Sequence, residues 1–364
     1  MMATAALTSL ALAALPVALG GLNLALLPCP AGPVPDATLV SILIPMRDEA
    51  GQIGACLAAA LAQQGVAVEV LVMDDASTDT GAALVAALAA REPRLRLLRA
   101  PPLPPGWTGK VHACARLAEA ARGSHLLFID ADVRLAPDAA ARLAGHALRH
   151  RLALASGVPR QRLGSLGEAL TVPAINLLLL GYLPGGGRAF SRFPALAAAC
   201  GQLLLVEATA YRAAGGHGAI SGVLHEALAL ARLLRRAGGR TEVVAGAGLA
   251  ECRMYRGLGE AFPGFLKNAR EGMATPLGLP VWTLLLAGGH LWPWLLLPGP
   301  AGALALLLGF GLRAAIAWRV REPWWSVPLH PAGVAMALAI QWVALLRRRP
   351  VGWKGRAYPS TKAA

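Results

Sequence analysis

The segment Phe128-Ile129-Asp130-Ala131-Asp132 sets two carboxylates one residue apart at the end of an apolar run that begins at Leu126. Such a run reads as a buried parallel strand. On an extended segment residues i and i+2 point to the same side. Asp130 and Asp132 can therefore share a hard divalent cation, Mg2+ or Mn2+, and the cation can hold a diphosphate. A strand ending in a solvated acidic turn would have the same local sequence.

Two further apolar runs end in acids or polar loops. Val70 to Met73 leads into Asp74, Asp75 and Asp79, and Val40 to Ile44 leads into Pro45, Arg47, Asp48 and Glu49. An acid at a strand end can accept hydrogen bonds from a nucleoside's base or ribose. The proline-rich stretch Pro101 to Lys110 excludes regular structure over most of its length and delivers Trp107 and Lys110. Beside a diphosphate site that ammonium becomes a phosphate contact; elsewhere it would be an ordinary surface charge.

The elements that must position these groups follow from periodicity. Helices are expected over 51–64, 80–91, 113–122 and 137–150, and strands over 66–73, 95–98 and 153–158. Strands alternating with helices predict an α/β domain with a mostly parallel sheet, and ligands in such sheets bind beyond the carboxyl ends of the strands.

In their order and spacing, the phrases IPMRDE (44–49), MDDASTD (73–79) and DAD (130–132) resemble the family 2 glycosyltransferases, which have the GT-A fold. PPGWTGK (104–110), RMY (253–255) and GFxKN (264–268) resemble the branch that glycosylates carotenoids and hopanoid-type lipids. The resemblance implies an inverting transfer from a nucleotide-sugar donor to a lipid hydroxyl. It places the donor on Pro45, Arg47, Glu49, Asp74, Asp75, Asp79, Lys110 and Asp130, and the metal on Asp130 and Asp132, with Asp132 the more direct ligand. The acceptor side falls on Gly201, Gln202, His217, His225, Arg253, Lys267 and Asn268. Gly201-Gln202 and Tyr211 to His217 match the family's GQ-strand-AYxxxGGH segment, although His217 taken alone would be read as structural.

One departure concerns the general base. Family members usually carry Glu-Asp at the start of the acceptor-side helix, with the Asp as base. Here Glu226 matches the family's Glu, and Ala227 stands where the Asp should be. Glu226 is expected to serve instead, with His225 as the second candidate; an acid capping a helix N-terminus is the plain alternative. The family's Q-x-x-R-W phrase is also missing. Two rivals stay open. A polyprenyl phosphate acceptor needs no base and fits Ala227, and a non-catalytic protein could keep a nucleotide-sugar pocket for binding alone.

Of the 364 residues, 56% are hydrophobic and 15% charged. This is too apolar for an ordinary soluble domain, and the excess lies at the two ends. Residues 1–30 are expected to be a transmembrane anchor, 38–275 the catalytic domain, 276–346 transmembrane helices (near 281–297, 301–318 and 328–346) and 347–364 a basic tail. Residues 165–184 suit an interfacial helix or a buried one. Seven tryptophans, 282, 292, 294, 318, 324, 325 and 342, suit interface belts. The positive-inside rule puts the tail in the cytoplasm, whereas three full spans after a cytoplasmic domain would put it outside, so either one segment is re-entrant or interfacial or the rule fails; a cytoplasmic tail is expected. The expected location is the cell inner membrane, multi-pass, with the catalytic domain cytoplasmic. The net charge of +14 suits anionic lipid or an anionic substrate. No aromatic-interleaved basic patch points to nucleic acid. The five scattered cysteines show no zinc spacing and no disulfide framework.

Overall fold

The computed structural model describes residues 2–347, 351–353 and 355–358. Arg348, Arg349 and Lys354 of the basic tail lie outside the described residues. Two compact units are formed. One comprises Leu27–Arg160 and Gly187–Arg253, the other Met1–Leu26, Gln161–Gly186 and Met254–Ala364. Residues 161–186 and 254–275, expected inside the catalytic domain, therefore group with the apolar helices.

The first unit contains β1 (Leu39–Met46), α2 (Ala50–Leu61), β2 (Ala67–Asp74), α3 (Gly81–Ala89), β3 (Leu95–Arg99), α4 (Gly109–Ala120), β4 (His125–Phe128), β5 (Val133–Leu135), α5 (Ala139–His150), β6 (Leu154–Gly157), β8 (Leu204–Glu207), α8 (Ala208–Ala213), α9 (Glu226–Arg236), β9 (Thr241–Val244) and β10 (Ala250–Cys252). A short strand β7 (Arg160–Gln161) sits at the unit boundary, and α1 (Met2–Ala25) precedes the whole. The seven-stranded sheet has the order β3-β2-β1-β4-β8-β6-β9. Its first four strands are parallel, and β8 runs antiparallel to both neighbours. The mostly parallel sheet is thus as expected.

Register lines up the functional ends. Met46 pairs with Asp74, and Leu43 pairs with Phe128. Because β8 is antiparallel, Leu204 stands opposite Phe128, which brings residues 200–203 beside the carboxyl end of β4. The sheet is apolar on both faces; Ile42, Leu43, Leu71, Leu126 and Leu127 have no exposed surface, as burial beneath covering helices requires. One buried carboxylate ties three strands together. Glu69 of β2 accepts from Ser41 Oγ of β1 at 2.7 Å, and from Arg122 N and Nε, ahead of β4, at 2.6 and 3.0 Å.

The second unit is helical: α6 (Leu166–Thr171), α7 (Ala174–Asn176) and a π turn over Leu177–Tyr182, then α10 (Leu258–Asn268), α11 (Gly278–His290), α12 (Trp292–Leu295), α13 (Pro300–Arg319) and α14 (His330–Leu346), with α1. Small residues let backbones approach: a Cβ at Gly289 of α11 would lie 2.7 Å from Leu12 O of α1. Ser9 Oγ donates to Gly288 O at 2.8 Å. Arg313, inside the apolar α13, is buried, pairs with Glu322 at 2.7 Å and donates to Ser326 Oγ at 2.8 Å, while Asn176 donates to Glu322 at 2.8 Å. A charge can sit in so apolar a helix only with partners of this kind.

Within the 165–184 segment, Leu166–Tyr182 is helical throughout, with a turn at Val172 and Pro173 and a π turn over Leu177–Tyr182. Two helices, Ala3–Ala25 and Pro300–Arg319, are long and apolar enough to cross a membrane; His330–Leu346 is shorter, and the first expected C-terminal span is only the 13-residue α11 followed by α12. Of the seven tryptophans, Trp292, Trp294, Trp318, Trp324 and Trp325 are exposed.

Glu69→Ala should lower stability by about 1–3 kcal/mol by leaving Ser41 and the Arg122 amide without their acceptor. Denaturant unfolding of the variant beside the parent measures it.

Candidate active site

The loops after β1 and β2 are stapled to each other. Arg47 Nη1 donates to Asp75 O at 2.7 Å, Thr78 N to Asp48 Oδ1 at 2.7 Å, and Asp48 N to Ser77 Oγ at 3.1 Å. Asp48 and Ala76 adopt left-handed backbone, φ 52° and 57°, and only such fixed pairing keeps a non-glycine residue there. Asp79 accepts from Ala50 N at 2.7 Å and Gly81 N at 2.9 Å, and Asp74 accepts from Ser77 N at 3.0 Å. The carboxylates of Asp74 and Asp79 thus shape the loops, while Asp75 is buried beside them. Sequence reasoning missed Asp48 as a staple, because a left-handed turn is a property of the paired loops and not of one residue.

Asp130 and Asp132 lie just past β4, as expected. Helix α4 starts at Gly109, earlier than the expected 113, because Thr108 is tied down: its N–H donates to Ser221 O at 2.9 Å and its hydroxyl to Val223 O at 3.1 Å. Lys110 therefore sits in the first turn of α4. Its ammonium is 2.7 Å from Asp130 Oδ1 and 2.7 Å from Glu226 Oε1. Gly201 closes this triad on a third side. A Cβ there would stand 2.6 Å from Glu226 Oε1 and 3.1 Å from Lys110 Nζ.

The triad fixes the charges. Burial works to raise the Glu226 carboxyl, but Lys110, with smaller help from His225 and His217, outweighs it and holds the group at about 2. Desolvation likewise opposes the Lys110 charge, and Asp130 and Glu226 overcome it, keeping the ammonium well above the usual lysine range. Ala227 is buried, with 4% exposure, in the hydrophobic cluster that includes residues of the strands and of α4, and its Cβ borders the site, 3.7 Å from where a Gly201 Cβ would stand. Glu226, at the first position of α9, is the residue that reaches the site.

Asp132 differs from Asp130. Its Oδ1 is buried and has no hydrogen-bond partner. Burial, then the charge of Asp130, raises its carboxyl to about 7, against a hydrogen bond from Cys252. Gln202 Nε2 donates to the same Cys252 sulfur at 3.1 Å. An orphaned carboxylate oxygen next to a second carboxylate fits a divalent cation. Among the described residues no three His, Cys, Asp or Glu side chains converge as a metal cluster, so remaining positions would fall to donor oxygens and water.

His217 packs edge-on against Phe128, ring centroids 5.0 Å apart. Tyr211 Oη accepts from His217 N at 3.0 Å, so its single proton goes to His217 Nδ1 at 2.8 Å. The other ring nitrogen then carries the histidine proton; it is buried with no partner. Burial holds the ring at about 4, hence neutral, near the charges of Glu226 and Lys110. Tyr211 as tautomer-setter was legible only as a tyrosine six residues before the histidine. His225 caps α9, and Arg253 follows β10. Lys267 and Asn268 are in α10 of the helical unit, apart from the unit that carries the acids.

Residues 41–207 match the sequence model of Glycosyl transferase family 2. They form a family 2 glycosyltransferase domain. A mannosyltransferase from Pyrobaculum calidifontis, in complex with GDP-Man and Mn2+, is similar over 94% of this chain and 99% of its own, with TM-score 0.54 and 19% identity. That likeness establishes the GT-A-like fold. Glucosyl-3-phosphoglycerate synthase from Mycobacterium tuberculosis is a looser likeness, at TM-score 0.40 and 19% identity over 60% of this chain and 74% of its own. An uncharacterized protein of Mycobacterium tuberculosis is 38% identical over 105 residues, which span 29% of this chain and 31% of that protein.

If Asp132 holds the cation, Mn2+ binding requires its carboxylate form. Affinity should then fall as pH drops through about 7, by ~10-fold per unit well below it. Calorimetric titration with Mn2+ at several pH values checks this, and in Asp132→Asn the residual binding should lose that pH dependence.

Proposed function

We propose that this chain is a membrane-anchored, inverting glycosyltransferase that moves a sugar from a nucleotide-sugar donor to the hydroxyl of a carotenoid- or hopanoid-like lipid. The observation that carries the reading is the Asp130–Lys110–Glu226 triad, with both contacts at 2.7 Å. One ammonium links an acid of the donor motif to a carboxylate on the acceptor-side helix, so the acceptor would be met within one side chain's reach of the departing diphosphate.

Asp75 and the stapled loops support the nucleoside, and Asp130 and Asp132 would hold Mg2+ or Mn2+. The metal, when bound, neutralises charge developing on the leaving nucleoside diphosphate. Glu226 takes the proton of the acceptor hydroxyl while that oxygen attacks the anomeric carbon opposite the leaving oxygen, which inverts the centre. While salt-bridged to Lys110, Glu226 is a poor base. A donor diphosphate offers Lys110 a denser anion, and as the ammonium moves toward it the carboxylate regains basicity. Neutral His217 contributes a fixed N–H donor for a sugar or acceptor oxygen.

The membrane part of the reading draws on the two long apolar helices and the exposed tryptophans. At 13 residues, α11 extends ~20 Å, short of the ~30 Å hydrocarbon core, whereas a helix of ~17 residues reaches the lower bound for crossing. With α13 and α14 crossing and α11 re-entrant, the basic tail returns to the side of the catalytic unit, which the positive-inside rule makes cytoplasmic. The inner membrane is then the proposed location.

A second reading, transfer to a polyprenyl phosphate, is favoured by Ala227 and by the low proton affinity of Glu226, since an anionic acceptor needs no base. Glu226→Gln separates the two. For a hydroxyl acceptor, turnover at saturating donor should fall by ~10²–10⁴ with little change in donor affinity. Turnover close to the parent's, with a phosphosugar product found by mass spectrometry, would establish the second reading. Lys110→Met, in turn, should weaken binding of the nucleoside diphosphate, as measured by calorimetry.

A further inference from the structure

The loop from Gly187 to Leu196 displays two phenylalanines to the outside and is rigidly built to do so. Phe190 is 69% and Phe193 74% exposed. Beneath them the buried Arg235 of α9 spends its guanidinium on the loop's base. It donates to Phe193 O at 3.0 Å, Gly187 O at 3.2 Å and Arg188 O at 3.1 Å, and its Nε donates to Thr241 Oγ1 at 2.7 Å. Gly187 is held at φ +77°, where an added Cβ would come within 2.7 Å of Val243 Cγ2. Three guanidinium hydrogen bonds to the loop's own carbonyls, beneath an apolar tip, mark a held surface.

The tip's chemistry selects its partner. Arg188 lies over the Phe190 ring, 5.1 Å from its centroid, and Arg192 is exposed between the two phenylalanines. This loop is a short aromatic-interleaved basic patch that sequence reasoning passed over, and exposed rings beside guanidinium groups suit a lipid interface, with rings among the acyl chains and cations at anionic headgroups. The chain also enters this loop directly from Gly186, the last residue of a segment of the apolar helical unit.

We infer that the 187–196 loop inserts Phe190 and Phe193 into an anionic bilayer surface, with Arg188 and Arg192 on the headgroups. It rests on the membrane reading above and is independent of the transfer chemistry. Five residues after the loop the chain reaches Gly201, where an added Cβ would meet Glu226 and Lys110.

The test uses the full chain with a benzophenone amino acid in place of Phe190 or Phe193, in nanodiscs of phosphatidylglycerol with phosphatidylcholine and of phosphatidylcholine alone. Both positions are exposed, so the replacements should fold. Irradiation should give lipid adducts at both positions by mass spectrometry, in higher yield with phosphatidylglycerol. Arg188→Gln with Arg192→Gln should remove that headgroup preference and leave the adducts. A membrane-bound chain that yields only protein adducts, or none, overturns the inference alone, and yields indifferent to headgroup overturn its anionic part. A chain recovered wholly in the soluble fraction overturns the membrane reading and this inference with it.

Discussion

The ammonium of Lys110 between Asp130 and Glu226 is the interaction on which the site depends. Two carboxylates drawn this close are costly without a counter-ion, even though the Lys110 and Asp130 side chains keep 37% and 31% of their surface exposed. The cation that satisfies them is carried by the first turn of α4, and its position is set by the bonds from Thr108 to Ser221 and Val223. Those carbonyls lie just before α9, where Glu226 stands. The sheet end, α4, α9 and the segment leading to β8 are thus located by one another through a single side chain. Gly201 belongs to the same constraint, because any larger residue would occupy the space in which Glu226 and Lys110 meet.

The same pairing creates a chemical tension. A carboxylate held at about 2 is stable as an anion but reluctant as a base, and proton transfer is most effective when the base's affinity is near that of its task. The tension resolves if Lys110 changes partner during the cycle, since Coulomb attraction to a diphosphate exceeds that to one carboxylate at similar distance. Donor loading would then prepare the base, and a hydroxyl arriving before the donor would meet an unreactive Glu226. The Asp132 carboxyl belongs to the same logic: burial and then the charge of Asp130 raise it, and a bound cation would reverse that.

The strand-end acids and the mostly parallel sheet were legible because apolar runs ending in carboxylates are local features with a strong period. Lys110 was legible as a cation near a diphosphate site but not as the partner of Glu226; their 116-residue separation in the chain is bridged only by the folded sheet. The roles of Asp48, Tyr211 and Cys252 were not legible, since each depends on a partner that antiparallel β8 or a left-handed loop brings into reach. The apolar stretches expected at 301–318 and 328–346 lie close to α13 and α14, whereas the one expected at 281–297 is divided at Leu291 into α11 and α12, a division that hydropathy does not register.

Glu226 shows how a motif and a geometry can point to adjacent residues. Alignment puts the family's base at 227, where this chain has alanine. Neighbouring positions on a helix are rotated by ~100°, so 226 and 227 send their side chains in different directions. Glu226 meets Lys110 at 2.7 Å, while Ala227 is buried in the cluster that also holds Leu204, Val206 and Leu230, with its Cβ at the inner edge of the site, 3.7 Å from where a Gly201 Cβ would stand. The glutamate carboxylate reaches the ammonium from the first position of the helix. An aspartate introduced at 227 would bring a further carboxylate into the buried space beside Glu226, where one ammonium already serves two acids. Restoring the family's motif in this chain is therefore not a neutral repair.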